Sequence, residues 1–154
     1  DFKNTIIILT SNLGSQYLLD GIGPDGSITQ EAKDQVNALL KKSFRPEFLN
    51  RLDEIVRFRP LGAGEMDTIA RKLLSGFAQR LAATGVDFLP SDQAIRLLAQ
   101  KGLDPRYGAR PLRRLIRNQV ENPAAELLLR EDIAPGETLY LEEKGGQLVL
   151  SPLS

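Results

Sequence analysis

Three polar side chains in this sequence stand where the neighbouring residues can hold them for chemistry: Asn12, Arg51 and Arg110. A fixed arginine stabilises charge on a transferring phosphoryl group. An asparagine amide offers both a donor and an acceptor, so it can orient a water or contact a phosphate. Histidine and cysteine are absent, which excludes Ser-His triads, histidine bases and thiolate metal sites. Phosphate recognition by positioned arginines and amides is one chemistry that these exclusions leave open.

Arg51 follows a short turn that leads into a predicted strand. Pro46 breaks the preceding apolar pattern, and residues 55–58 have the β-branched and aromatic character of a strand. An arginine between these elements is a positioned cation. The alternative is a surface ion pair with Asp53 or Glu54, which contributes only ~0–1 kcal/mol. The residues by themselves leave both interpretations open.

Asn12 follows an apolar, β-branched run at residues 5–10. Such a run predicts a strand buried on both faces, as in a parallel α/β sheet. Ligands of open α/β sheets bind beyond the carboxyl ends of the strands, where Asn12 stands. The alternative is a simple turn, because Ser11 and Asn12 before Leu13 and Gly14 are good turn formers.

Arg110 is predicted at the start of a helix. Pro111 fixes the entry of the chain into that helix, and Gly108 allows a close approach of the backbone. The alternative role for Arg110 is an ion pair with Asp104 or Glu121. The basic face that follows it on the helix is interpreted as a solvated surface or a subunit contact, and consists of Arg113, Arg114 and Arg117.

The stretch F-R-P-E-F-L-N-R-L-D-E-I-V-R-F at residues 44–58 closely resembles the arginine-finger segment of the second ATPase module of Clp-family AAA+ unfoldases. T-S-N-L-G-S at residues 10–15 is similar to the sensor 1 of that family, and Y-G-A-R-P-L-R-R at residues 107–114 to its sensor 2. The motifs occur in the family's order and span most of the chain. The resemblance implies that Asn12 and Arg51 are catalytic and that Arg110 binds the nucleotide, with no metal ligand.

The expected fold class is an α/β fragment followed by a small α+β subdomain. Residues 1–60 are predicted to be the end of a parallel AAA+ sheet with its helices, and residues 61–154 a mainly helical subdomain with a three-stranded sheet. Residues 60–64 are predicted to be a hinge. The start without methionine, running into a buried-type strand, suggests a piece of a longer protein.

Predicted helices cover residues 29–44, 65–85, 91–102 and 111–121, and Asn122 and Pro123 are expected to separate the last from a further helix. Predicted strands at residues 86–89, 138–142 and 147–151 form the small sheet.

The chain as a whole is most similar to the disaggregase branch of the family, ClpB. This resemblance implies a homo-oligomeric ring, expected to be a hexamer, that hydrolyses ATP with Mg to thread unfolded or aggregated polypeptides, with a DnaK-type chaperone as a further partner. No G-x-x-x-x-G-K-[ST] phosphate loop occurs in these residues. Neither ATP nor Mg is therefore expected to bind tightly to this chain alone. The longer protein is expected to be an ATPase, whereas this chain by itself is expected to be inactive.

Charge and hydropathy restrict the partners further. Lys+Arg and Asp+Glu are 20 each, so nucleic acid is not an expected partner. No apolar run is long enough for a membrane span, and a cytoplasmic location is expected. Two alternatives remain. One is an unfoldase that serves a peptidase, like ClpC or ClpA, although Pro24 stands where their docking loop has an aromatic residue. The other is a non-enzymatic oligomerisation or adaptor domain.

Overall fold

The chain folds as two units, Asp1–Pro60 and Leu61–Ser154. The structure is a computed structural model, and it describes residues 3–23, 26–104 and 107–153. Within these ranges no helix is both long and apolar enough to cross a membrane. Pro24 and Asp25, where the predicted docking-loop difference falls, lie outside the described residues, as do Pro105 and Arg106.

The described residues of the first unit form helices α1 (Ser15–Asp20), α2 (Gln30–Ser43) and α3 (Pro46–Leu49). Thr29 is the N-cap of α2, and its hydroxyl accepts the N–H of Ala32 at 3.3 Å. The α1 and α2 helices pack closely, because a Cβ at Gly21 would lie 2.2 Å from that of Ala32. Ala32 and Val36 are buried, so the prediction of an amphipathic helix at residues 29–44 is confirmed.

Two predicted strands of the first unit are not formed. Residues 5–10 and 55–58 belong to no strand in the described part of the chain, and Ile6 is 88% exposed. A central strand needs a hydrogen-bonded neighbour on each side. No strand of this unit supplies one among the residues described. The sequence of residues 5–10 therefore suits a buried strand, but the pairing that would make it one is missing.

The second unit begins with α4 (Ala63–Ala82), which is capped by its own third residue. The carboxylate of Glu65 accepts the backbone N–H of Gly62 at 3.0 Å. The helix therefore starts inside the predicted hinge, and Ala63 and Gly64 are helical. The later elements are β1 (Asp87–Pro90), α5 (Asp92–Lys101), α6 (Arg110–Ile116), a π-helical turn (Arg117–Glu121), α7 (Asn122–Leu129), β2 (Thr138–Lys144) and β3 (Gln147–Leu153).

The small sheet has the strand order β1-β2-β3 in the described residues. β1 pairs parallel with β2, with Phe88 opposite Leu139. β2 pairs antiparallel with β3, and the residues Gly145 and Gly146 that join them have φ angles of +61° and +78°. Both positive values suit a two-residue type I′ turn, for which glycine is favoured. The predicted three-stranded sheet beside a mainly helical subdomain is thereby confirmed.

One apolar core holds the helices of the second unit against this sheet. The ring of Phe77 on α4 meets that of Phe88 on β1 edge to face, with centroids 5.0 Å apart. Ser91 caps α5, since its hydroxyl accepts the N–H of Ala94 at 3.2 Å. The largest fully buried side chains are Met66, Leu74, Leu98, Leu112, Leu139, Leu141, Val86 and Val120. This core fixes the positions of α5 and α6.

The predicted helix break at Asn122 and Pro123 is wrong. Helical backbone continues through this point, and Asn122 has φ −66° and ψ −48°. Proline in a helix lacks an N–H and collides with the carbonyl four residues earlier, here that of Gln119. The π-helical turn just before Pro123 absorbs this conflict, because its i→i+5 bonding replaces the α-helical pattern locally.

Gly102, the C-cap of α5, lies close to Leu112 on α6, and this approach yields a stability prediction. A Cβ at this position would lie 2.7 Å from both Cβ and Cδ1 of Leu112, and 2.8 Å from its Cα. Because backbone cannot yield as a flexible side chain can, Gly102→Ala is expected to lower the free energy of unfolding by ~1–3 kcal/mol. Denaturant unfolding monitored by circular dichroism measures this change.

Gly64→Ala is the matched control for this substitution. Gly64 lies in the first turn of α4 with open space around its added Cβ. Alanine is the better helix former, so the same measurement is expected to show equal or higher stability, by up to ~0.5–1 kcal/mol. A Gly102→Ala protein as stable as wild type would contradict the proposed close approach of α5 and α6.

Candidate functional site

Arg51 is held by the short helix α3 and the turn that closes it. The N–H groups of Leu49 and Asn50 donate to the carbonyls of Arg45 and Pro46 at 3.2 and 2.9 Å. The N–H of Arg51 itself donates to the carbonyl of Phe48 at 3.1 Å. These bonds fix the backbone of Arg51 independently of its side chain. The four helical residues that begin with Pro46 are therefore sufficient to position the backbone of Arg51.

The guanidinium of Arg51 is exposed and has no ion pair or hydrogen bond to any residue the structure describes. The alternative pairs with Asp53 and Glu54 are thus not formed, and both carboxylates are exposed as well. Phe44, just before α3, stacks its ring on that of Phe48 within α3, with centroids 5.3 Å apart. Apolar stacking therefore stabilises the turn, while the charged group remains available.

A contact that the sequence did not reveal anchors the residues after Arg51. Arg57 donates a hydrogen bond through Nη2 to Oδ1 of Asn37 on α2. Its Nε is buried without a hydrogen-bond partner in the described part of the chain. The residues between Arg51 and Arg57 are thereby tied to α2 by a side chain and not by a strand ladder. Arg57 stands between the apolar residues Val56 and Phe58, and this pattern is the sequence signal for a partly buried side chain here.

Asn12 lies in a tight turn that leaves its side chain unused. Its carbonyl accepts the N–H of Ser15 at 3.1 Å, and the hydroxyl of Ser11 accepts the N–H of Leu13 at 3.1 Å. Gly14 completes the turn with φ +77°, and an added Cβ there would lie 3.0 Å from Cγ2 of Val36. The turn interpretation of these residues is correct. It is compatible with a chemical role, because the exposed amide of Asn12 has no partner among the described residues.

Arg110 is the first residue of α6, directly after a closed loop. The N–H of Gly108 donates to the carbonyl of Asp104 at 2.7 Å, and the N–H of Tyr107 donates to Oδ1 of Asp104 at 3.2 Å. Gly108 has φ +61°, a conformation that favours glycine. The backbone that presents Arg110 is therefore fixed by the loop, with Pro111 inside the first turn of the helix.

The structural alternative for Arg110 was an ion pair with Asp104 or Glu121. Glu121 is instead paired with Arg80 on α4. Arg110 is exposed and forms no ion pair or side-chain hydrogen bond with the residues described. Arg113, Arg114 and Arg117 share this state.

Arg71 shows what a structurally paired arginine looks like in this chain. Its Nε donates to Asp67 at 2.8 Å and its Nη2 to Asp92 at 2.9 Å. The hydrogen bond to Asp67 raises the pKa of Arg71 above its ordinary value, and the bond to Asp92 adds to the effect. The three candidate residues have no such partners in the part of the chain that the structure describes. Asn12 and Arg51 belong to the first unit and Arg110 to the second.

No cluster of histidine, cysteine, aspartate or glutamate suited to a metal occurs in ranges 3–23, 26–104 and 107–153. The candidate residues are two cations and an amide, and each has a fixed backbone and a polar group without a partner among the described residues. Such an arrangement can orient a water or bind phosphate oxygens.

Comparison with known proteins connects these residues to a family. Residues 61–141 match the model of the C-terminal, D2-small domain of ClpB protein. Residues 1–55 match the model of an AAA domain of the Cdc48 subfamily. Arg110 therefore falls in the first match, and Asn12 and Arg51 in the second.

Curated relatives match almost the whole chain. It is 43% identical to Chaperone protein ClpB of Bacillus cereus over 97% of its own length, and 43% identical to that of Bdellovibrio bacteriovorus over 96%. Chaperone protein ClpB 2 of Synechocystis is 43% identical over 99% of the chain. The chain spans 17% of the length of each of these relatives. More than half of the chain matches the D2-small model, and the chain therefore belongs to the ClpB family.

Proposed function

We propose that this chain is the C-terminal part of the second ATPase module of a ClpB-type disaggregase. Residues 1–60 form the end of the large AAA+ subdomain, with sensor 1 and the arginine finger. Residues 61–154 form the small subdomain, with sensor 2. The observation that carries the proposal is the D2-small match over residues 61–141, which begins where the second unit begins.

Arg51 is proposed to act on the nucleotide of a neighbouring subunit. Its guanidinium is exposed on a backbone that α3 fixes, so it can project from the surface without local rearrangement. Five N–H donors in a planar fork suit the oxygens of a phosphoryl group. A cation delivered in this way stabilises the negative charge that accumulates on those oxygens in the transition state.

Asn12 and Arg110 are proposed to serve the nucleotide of their own subunit. The free amide of Asn12 would orient the attacking water, and Arg110 would donate two parallel hydrogen bonds to the terminal phosphate. Both residues fit such a group, because their backbones are fixed and their polar atoms have no competing partner in the described chain. Mg bound with ATP would neutralise phosphate charge, and its ligands and the phosphate loop would come from residues outside these 154.

The longer protein is accordingly proposed to be an ATP-dependent protein unfoldase of the cytoplasm. Its partners would be other subunits of a homo-oligomeric ring, expected to be a hexamer, unfolded or aggregated polypeptides, and a DnaK-type chaperone. Residues 60–62 connect the two units without helix or strand and are the proposed pivot between the subdomains. The peptidase-linked alternative is less favoured, because the matched relatives described above are named ClpB.

The chain by itself is expected not to hydrolyse ATP. The phosphate-loop lysine and the Mg ligands supply much of the charge neutralisation at a phosphoryl site, and this sequence has no phosphate loop. A phosphate-release assay on the purified chain is expected to give no turnover above buffer. Turnover that survives repurification and disappears in Asn12→Ala would contradict the proposal.

Arg51→Ala in the full-length protein is expected to lower ATP hydrolysis by ~10³-fold or more, as the loss of an arginine finger does. Nucleotide affinity should change much less, because the phosphate cradle lies elsewhere. Steady-state hydrolysis and nucleotide titration separate the two effects. Lys42→Ala, which removes an exposed cation near the end of α2, is the control and should hydrolyse normally.

Mixed rings test whether Arg51 acts across the subunit boundary. If it does, adding Arg51→Ala subunits to wild-type subunits should inhibit the wild-type neighbours, and activity should fall faster than the mutant fraction rises. Hydrolysis measured over a series of mixing ratios gives this dependence. Activity that is the weighted mean of the two pure rings would show that Arg51 does not act in trans.

Arg110→Ala should reduce ATP hydrolysis while leaving the nucleotide-free protein as thermally stable as wild type, because no ion pair is lost in the described chain. Arg110→Lys should be nearly as inactive, since a point charge cannot reproduce the planar fork. Thermal unfolding without nucleotide and hydrolysis assays test both points. A fully active lysine variant would rule out two-point phosphate binding, and a large stability loss would indicate a structural role.

A further inference from the structure

Four arginines on the surface of the second unit form one face of a helix. Residues 110–117 are helical throughout, and about 100° separates successive residues of an α-helix. Positions 110, 113, 114 and 117 therefore fall within an arc of about 100°. The opposite side carries the buried Leu112 and Ile116. The arginine face is defined as Arg110, Arg113, Arg114 and Arg117.

This face is a concentration of uncompensated charge. Like charges three or four residues apart destabilise a helix, and the face contains the pairs 110–113, 110–114, 113–117 and 114–117. None of the four arginines has an acidic partner among the residues the structure describes. In a chain with 20 cationic and 20 acidic residues, so local an excess is suited to an acidic surface elsewhere.

The chemistry of the face favours a protein surface as its partner. All four cations are arginine, which pairs with carboxylates in bidentate geometry. Tyr107, just before the face, is 61% exposed, and arginine and tyrosine are the residue types enriched in protein interfaces. Single-stranded nucleic acid would require several stacking aromatic residues. Here one aromatic side chain borders the face, and the chain has no net positive charge.

The best acidic counterpart in this sequence is Asp53 and Glu54. They are adjacent, exposed and without an ion pair in the described chain. They also follow Arg51 by two and three residues, so Asp53 lies within about 7 Å of it along the backbone. Arg113 and Arg114 lie one helical turn from Arg110, which is about 5–6 Å.

We infer that Asp53 and Glu54 of one subunit pair with Arg113 and Arg114 of the next subunit in the ring. This inference rests on the proposed function, in which Arg51 of one subunit and Arg110 of its neighbour converge on the same nucleotide. The residues next to Arg51 and those one helical turn from Arg110 then meet at the same boundary between two subunits. One side supplies two carboxylates and the other supplies two guanidinium groups, so the contact is electrostatically complementary. Its occupant is a second copy of this protein.

Charge reversal in the full-length protein tests the pairing. We expect the double variant Arg113→Glu/Arg114→Glu to weaken ring assembly about tenfold, because two attractive pairs become repulsive. Asp53→Arg/Glu54→Arg should weaken it similarly. Combining all four changes restores opposite charges and should restore assembly. Sedimentation velocity over a protein concentration series measures assembly, and the defect should be largest at low salt.

Two further variants separate the contact from effects on folding. Arg113→Gln/Arg114→Gln removes repulsion within the helix, so the subunit should unfold at an equal or higher temperature while its rings are weakened. Arg96→Glu reverses an exposed cation on α5 without a partner in the described residues and should assemble normally. A purely structural role would instead lower the unfolding temperature of the glutamine variant.

The outcomes distinguish this inference from the proposed function. If the reversed variants assemble like wild type while Arg51→Ala still inhibits its neighbours in mixed rings, the pairing is wrong and the finger stands. If each reversal weakens assembly but the combination does not restore it, Arg113 and Arg114 contact some other acidic surface. If Arg51 fails the mixed-ring test yet the four-residue exchange restores assembly, the contact stands and the finger role fails. If the charge-reversed variants lose nucleic acid binding but assemble like wild type, the nucleic acid alternative replaces this inference.

Discussion

The approach of α5 to α6 at Gly102 is the contact on which the second unit depends. Leu112 reaches the backbone of Gly102 because no side chain separates them, and Leu112 is itself fully buried. Arg110 stands two residues before Leu112 on the same helix. The site residue is thus positioned by packing at the core, while its own side chain contributes nothing to that packing. One short helix thus presents the exposed polar group of Arg110 and, two residues later, the buried apolar side chain of Leu112.

The candidate residues share a second property: a firm backbone combined with an unused polar group. Hydrogen bonds fix the backbone in each case: in a four-residue helix before Arg51, in a turn at Asn12, and in a closed loop before Arg110. Arg71 and Arg80, by contrast, have carboxylate partners within the chain. This contrast is informative, because exposed arginines with acidic residues nearby in sequence usually pair or solvate a face. The unpaired ones are those for which an external anion is a reasonable partner.

Local signals made much of the fold predictable from sequence. Thr29 and Ser91 mark helix starts, because each hydroxyl accepts the backbone N–H of the residue three positions later. Gly145 and Gly146 between alternating strands identified the hairpin. The site residues were found because their motifs resemble a family, whereas residue types alone favoured a surface ion pair for Arg51 and a turn for Asn12.

The features that were predicted wrongly or not predicted depend on interactions that a local sequence pattern does not show. Residues 5–10 have the composition of a buried strand, but a strand exists only when a neighbour accepts and donates its hydrogen bonds. The contact from Arg57 to Asn37 spans 20 positions, and no local rule reveals it. Proline does conflict with an ordinary α-helical turn before it, but at Pro123 a π-helical turn removes the conflict without ending the helix.

The π-helical turn also sets the period of burial along the helical run from residue 110 to residue 129. Its buried residues Leu112, Ile116, Val120 and Ala124 recur every four positions. In an uninterrupted α-helix each step of four would turn the stripe by about 40°, so three steps would carry it about 120° around the axis. A wider turn rotates less per residue and takes up most of this drift, which keeps Ala124 in phase with Leu112. Removing one residue from this turn would leave eleven α-helical steps of about 100° between Leu112 and Ala124, only about 20° more than three whole turns. The buried stripe would therefore keep its direction, while Pro123 would again meet an ordinary α-helical turn before it.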